Sequence, residues 1–153
     1  MPKITPFLWF DNNAEEAVEF YLKVFPNSRR IGELRTSVDA GTVQKGGVLT
    51  IGFELDGQPF TALNGGPGHP FNEAVSFFVH CKDQAEIDSY WSKLLQGGGE
   101  EIACGWLKDR FGLRWQIVPE NVIELVRRPG AMKAMMTMKK LDIATLKEAA
   151  KEG

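Results

Sequence analysis

Hydrophobic and polar positions follow two periods along the chain, and the switches between them mark its elements. ITPFLWF (residues 4–10) is a short aromatic and aliphatic run that predicts a buried strand. Past Asp11, Asn12 and Asn13, the apolar residues Ala14, Ala17, Val18, Tyr21, Val24 and Phe25 recur at helical spacing. Asn13 reads as the N-cap, Glu15 and Glu16 complement the helix dipole, and Pro26-Asn27 stops the helix. Residues 28–37 predict a second strand. In VLTIGFEL, Val48, Thr50, Gly52 and Glu54 oppose Leu49, Ile51, Phe53 and Leu55, the alternation of a strand. Asp56-Gly57 is a hairpin turn, and PFTALN is its return strand.

The loop GGPGHPFN (residues 65–72) is the strongest break in the chain, and the pattern restarts after it. AVSFFVHC predicts a strand with Ala74, Ser76, Phe78 and His80 on one face. Asp83 caps a helix running to about Gln96, with Ile87, Tyr90, Trp91, Leu94 and Leu95 as its apolar side. Gly97-Gly98-Gly99 ends it. IACGWL predicts a short strand, DRFG a turn, and LRWQIVP another strand. The two halves resemble each other. At an offset of 70, Phe7 meets Phe77, Asn13 meets Asp83, Glu16 meets Glu86 and Lys23 meets Lys93. At an offset of 55, Gly57 meets Gly112, Phe60 meets Trp115 and Thr61 meets Gln116. A βαβββ unit repeated in this way predicts two modules side by side in one curved sheet. The predicted domain spans residues 1–119, with modules at about 1–66 and 73–119, followed by a helical tail over 120–153. The tail holds three short helical segments, split by Pro129-Gly130 and Leu141-Asp142, and a Met-rich face of Met132, Met135, Met136 and Met138.

Composition narrows the class. With 153 residues, 43% of them apolar and 25% charged, the chain can bury a real core and is no disordered tail or fibrous repeat. No apolar run is long enough to span a bilayer, which predicts no membrane partner. No long apolar leader follows the N-terminal Met, so a cytoplasmic location is expected. A formal net charge of -2 argues against nucleic-acid binding by phosphate neutralisation. The tail beyond residue 129 carries five Lys against one Asp and two Glu, a mild asymmetry read as solvation. Cys81 and Cys104 are expected as reduced thiols.

FDNNAEEAVEFYLKVFPNS, FTALNGGP, AVSFFVHCKDQAEID and CGWLKDRFGLRWQIVP resemble, in that order, the PhnB-like branch of the vicinal oxygen chelate superfamily. That superfamily includes glyoxalase I, bleomycin-resistance proteins and extradiol dioxygenases. The likeness covers about residues 4–119, and KLDIATLKEAA resembles a tail common in the branch. It implies an α+β fold of paired βαβββ modules forming a cupped mixed sheet, and a homodimer. Many close relatives are labelled 3-demethylubiquinone-9 3-methyltransferase-like. Metal-dependent members hold a divalent ion with His or Glu from the first and last strands of each module. Those places fall here near Ile4, on Thr61 or Leu63, on Ala74 and on Gln116, none of which is His, Asp or Glu. His69 and His80, the only histidines, read as loop-packing and strand-end residues.

By strand alternation, Thr61, Leu63, Ala74, Ser76, Phe78, Gln116 and Val118 share the face toward the implied cavity. Phe60, Phe77, Trp115 and Ile117 face the helices. Such a lining is apolar and aromatic with a few neutral hydrogen-bonding groups, and suits a small apolar or aromatic ligand. Cys104 and Trp106 in CGWLKD are the further candidates, and Asp109 reads as a turn-capping carboxylate. The expected ligand-binding set is therefore Thr61, Leu63, Ser76, Phe78, Cys104, Trp106 and Gln116, with no catalytic residue and no metal ligand.

Three functions stay open. The first is a small-molecule-binding protein lacking the usual metal ligands and needing no cofactor. The second is a lyase, isomerase or dioxygenase with a divergent divalent-metal site. The third, ranked last, is an S-adenosylmethionine-dependent methyltransferase. The chain has no glycine-rich strand-to-helix turn followed by an acidic residue of the kind a Rossmann methyltransferase uses.

Overall fold

The strand and helix periods of the sequence reappear in the computed structural model, which describes residues 2–152. Two units divide between Pro70 and Phe71, inside the glycine- and proline-rich break. The first unit contains β1 (Phe7–Phe10), α1 (Ala14–Val24), β2 (Arg29–Arg35), β3 (Val48–Leu55) and β4 (Gln58–Asn64). The second contains β5 (Ser76–Cys81), α2 (Gln84–Leu95), β6 (Glu100–Glu101), β7 (Trp106–Lys108) and β8 (Arg114–Pro119). It continues into α3 (Val122–Val126), α4 (Pro129–Met135) and α5 (Ile143–Ala150). Each unit builds a four-stranded mixed sheet, ordered β1-β4-β3-β2 and β5-β8-β7-β6. In both, the first strand runs parallel to the last, and the others pair antiparallel. The α+β architecture of paired βαβββ modules is thus present.

Helix α1 buries Ala14, Ala17, Val18, Tyr21 and Val24 against β3 and β4. There Tyr21 stacks on Phe53 at 6.4 Å and Phe53 on Phe60 at 5.4 Å. In the second unit Ile87, Trp91 and Leu94 of α2 supply the same face, and Leu107, Trp115 and Ile117 supply the sheet. The two helix starts differ. Asp83 accepts a hydrogen bond from the Glu86 N–H at 2.9 Å, a standard side-chain cap. Asn13 sits at the N-cap position without capping. The Ala14 N–H donates instead to Asn64 Oδ1 at 2.9 Å, so an acceptor from the end of β4 does the work.

The repeat is less regular than a single offset suggests. In parallel pairing Phe7 lies opposite Thr61, and Phe78 lies opposite Gln116. With Thr61 matching Gln116, Phe7 therefore matches Phe78, and the first-strand offset is 71 rather than 70. The helices keep 70: buried Ala17, Tyr21 and Val24 match buried Ile87, Trp91 and Leu94. The extra residue lies in the first strand-to-helix turn, where Asn12 takes a φ of 60°.

The tail docks on the second unit. Val118, Val122, Leu141 and Leu146 form one buried cluster, lined by Leu125, Val126, Ala134, Met135 and Met138. Gln84 ties the tail to α2 by donating to the Leu141 carbonyl at 2.9 Å and accepting from the Ile143 N–H at 2.8 Å. The Met-rich face is thereby split, because Met132 and Met136 stay exposed. No helix among the described residues is long and apolar enough to cross a membrane.

Candidate functional site

Each sheet covers one face with its helix and leaves side chains of the other face accessible. Pairing registers arrange that second face in rows across the strands, because residues directly opposite share a side. In the first unit one row is Phe7, Thr61, Gly52 and Gly32, and the next is Trp9, Leu63, Thr50 and Leu34. Phe7 is 60% exposed, and Trp9 and Leu34 are also exposed. Thr61 and Leu63 are half-buried among them, on the face expected. Trp9 is held at one end. Its Nε1–H donates to the Gly66 carbonyl at 2.8 Å, and the ring of His69 meets it edge-on at 4.5 Å. A Cβ on Gly65 would come within 2.2 Å of the indole, so glycine there is a packing requirement. His69 is thus a loop-packing residue, as expected.

In the second unit the rows are Ser76, Arg114 and Lys108, then Phe78, Gln116 and Trp106, then His80 and Val118. Ser76, Phe78, Trp106 and Gln116 therefore share one face. Gln116 Nε2 donates to Ser76 Oγ at 2.9 Å. Phe78 is 37% exposed and meets His80 edge-on at 5.1 Å. The cations of the first row are already engaged. Arg114 donates from Nε to Glu73 at 2.6 Å and from Nη1 to the Phe71 and Gly112 carbonyls, and Lys108 pairs with Glu100 at 3.0 Å. The Arg114 hydrogen bond holds the Glu73 carboxyl below the usual carboxylate range.

Three expectations need correction. Val118 shares the Gln116 face by alternation but is closed off, only 2% exposed, because the tail packs on it. Cys104 is not on a strand. It sits before β7 at a φ of 56°, with its N–H donating to the Met138 carbonyl at 2.8 Å. The adjoining Gly105 N–H donates to Lys139 in the same way, so tail contacts replace ladder bonds there. Ile4 and Ala74 precede their strands and are exposed; the residues opposite Thr61 and Gln116 are Phe7 and Phe78. Reasoning from sequence missed Phe7 and Trp9, although the alternation of FLWF already turns every second residue away from the core.

Asp109 is 1% exposed and organises the β7–β8 turn. Its Oδ1 accepts from the Phe111 and Leu113 N–H groups at 2.9 and 3.0 Å, and its Oδ2 accepts from Trp115 Nε1 at 2.9 Å. The carboxylate thus fixes the hairpin that carries Trp106 and Gln116. Both cysteines are free thiols. Burial, reinforced by the nearby Glu86 and Asp83 carboxylates, pushes the Cys81 thiol up to about 12. Among the described residues no three of His, Cys, Asp and Glu gather closely enough to hold a metal ion.

The family model for 3-demethylubiquinone-9 3-methyltransferase matches residues 2–118. The chain belongs to that family. Within the 3-demethylubiquinone-9 3-methyltransferase family it is similar to the PhnB protein from Bacillus cereus, at 34% identity and a TM-score of 0.65. That likeness covers 75% of this chain and 97% of the other. A protein from Pseudomonas aeruginosa shares the fold at 20% identity and a TM-score of 0.60, covering 75% of this chain and 95% of its own. No curated protein matches the chain. Each of the two units has the βαβββ order that the resemblance in the sequence implies.

Proposed function

We propose that this chain is a small-molecule-binding protein that takes an apolar or aromatic ligand without a divalent metal, acting as a cytoplasmic homodimer. The observation that carries the reading is the row Phe78–Gln116–Trp106. It puts two aromatic side chains on either side of one neutral amide, on the accessible face of a rigid sheet. Such a row offers stacking area and orientation.

The donor chemistry does not fit the superfamily's ion. The paired first- and last-strand positions are Phe7 with Thr61 and Phe78 with Gln116. Zinc-like ions take imidazole, carboxylate or thiolate, and a neutral amide and a hydroxyl beside two phenyl rings offer none of these. Methyl transfer from S-adenosylmethionine is not supported either. The strand-to-helix turns among the described residues are Asp11-Asn12-Asn13, Lys82-Asp83 and Glu120-Asn121, and none contains the glycines that let a backbone cradle such a cofactor.

The test is thermal melting of untagged protein with a panel of divalent ions, with and without chelator, and with 2-naphthol as an aromatic probe. A compound at 100 times its Kd adds about 2.7 kcal/mol if it binds only the folded state. At this chain length that is roughly a 5–10 °C rise. The expected result is a rise with 2-naphthol and a flat response to every ion. A chelator-reversible rise with one ion would overturn the metal-free reading in favour of an enzyme with a divergent site.

A further inference from the structure

The same row also specifies what kind of ring it accepts, an inference that rests on the binding reading above. Adjacent strands lie about 4.8 Å apart, so Phe78 on β5 and Trp106 on β7 stand about 9.6 Å apart with Gln116 of β8 between them. A planar ring contacted on both faces needs about 7 Å between its flanking rings. The gap therefore takes one ring thickness, placed over the Gln116 amide.

The polar groups in the gap are neutral and partly unused. Gln116 uses one of its two Nε2 hydrogens on Ser76. Among the described residues its Oε1 accepts no hydrogen bond, and Trp106 Nε1 donates none. A carboxamide with a hydrogen and an oxygen to offer pairs best with an edge that presents an acceptor beside a donor. Glutamine reads the adenine edge on this principle. The neighbouring cations Arg114 and Lys108 are matched by Glu73 and Glu100, so the face carries no net charge to favour an anion.

We propose that the ligand is an uncharged planar heteroaromatic whose edge presents an acceptor next to an N–H donor, as in a lactam or aminopyrimidine. It lies between Phe78 and Trp106 and is paired by Gln116, which sets specificity, while Ser76 positions the amide.

The test is titration calorimetry of the full chain with four probes that share a fused six-six bicyclic frame: 2-quinolinone, 2-naphthol, naphthalene and 2-naphthoate. Two hydrogen bonds in a partly buried site predict 2-quinolinone binding about tenfold to a hundredfold tighter than naphthalene. Gln116→Leu should erase that ratio, and Ser76→Ala should reduce it several-fold. Circular-dichroism melts of both variants check folding, and the Ser76 variant stands in should Gln116→Leu fail to fold. Equal affinity for 2-quinolinone and naphthalene, or a ratio that survives Gln116→Leu, would overturn the assignment but leave aromatic binding intact. Tightest binding of 2-naphthoate would overturn it in favour of the Arg114 and Lys108 row. Tightest binding of 2-naphthol would overturn it in favour of a hydroxyl. If none of the four binds, the reading of the chain as an aromatic binder fails with it.

Discussion

Removing the Asp109 carboxylate should cost more stability than any surface change. Asp109→Ala takes the acceptor from three N–H groups, those of Phe111, Leu113 and the Trp115 indole. Phe111 is only half-buried and can turn its N–H to water. Leu113 and Trp115 are 2% and 3% exposed, so their donors lose a partner that water cannot replace. Each buried donor left in that state costs about 1–3 kcal/mol, so about 4 kcal/mol is expected in all. That corresponds to a fall in Tm of roughly 8–16 °C at this size. Asp109→Asn is the sharper probe. It keeps an oxygen for the two backbone groups but turns an amide N–H toward the indole N–H, and one such clash should cost about 1–3 kcal/mol. Urea unfolding at constant m measures both variants. In a Trp115→Phe background the clash has no partner, so Asp109→Asn should become nearly neutral, a coupling of at least about 1 kcal/mol. A cost for Asp109→Asn below about 0.5 kcal/mol, or an equal cost in both backgrounds, would refute the argument.

The two cysteines should separate cleanly by reactivity and by pH. Cys104 is half-buried and should react with a disulfide reagent in the native protein, whereas Cys81 should react only on unfolding. The folded Cys81 thiol titrates at about 12, above its ordinary value of about 9. Its stabilising contribution is complete below pH 9 and is lost as pH rises toward 12. Cys81→Ala should flatten that alkaline slope, and an unchanged slope in urea titrations would contradict the assignment. Leu141→Ala empties the centre of the tail cluster and should cost about 2–5 kcal/mol. Trypsin cleavage at Lys139 and Lys140 should then accelerate at least about tenfold, because local opening at that cost becomes frequent.

Much of this fold was legible because local rules and tertiary demands agree. Asp83 caps α2 as its residue type and position imply, and Asp56-Gly57 closes the β3–β4 hairpin, with Asp56 at a φ of 49° and Gly57 at 82°. Thr61, Ser76, Phe78 and Gln116 fall on the expected face because alternation is strict inside a strand. Cys104 and Val118 failed for a common reason. Both answer to tail residues more than 20 positions away, Met138 for Cys104 and Leu141 and Leu146 for Val118, whose docking leaves no periodic trace near either residue. Asn13 looked like a cap because its type suits one, but the competing acceptor, Asn64, arrives from a strand 51 residues later. The metal-ligand positions at Ile4 and Ala74 were placed by resemblance alone, without the pairing register that puts Phe7 and Phe78 opposite the last strands.

The uneven offset of the repeat bears on how such a chain can be recombined. A hybrid that grafts β5 onto the start of α1 at one constant offset would rotate every strand side chain to the opposite face, because the side-chain period is two. Phe78 and His80 would enter the core, and Val79 and Cys81 would leave it. A viable graft must keep the full three-residue Asp11–Asn13 turn between strand and helix, including Asn12 with its left-handed step, so that β5 sits at an offset of 71. The first strands of the two halves are therefore not interchangeable residue for residue across that joint.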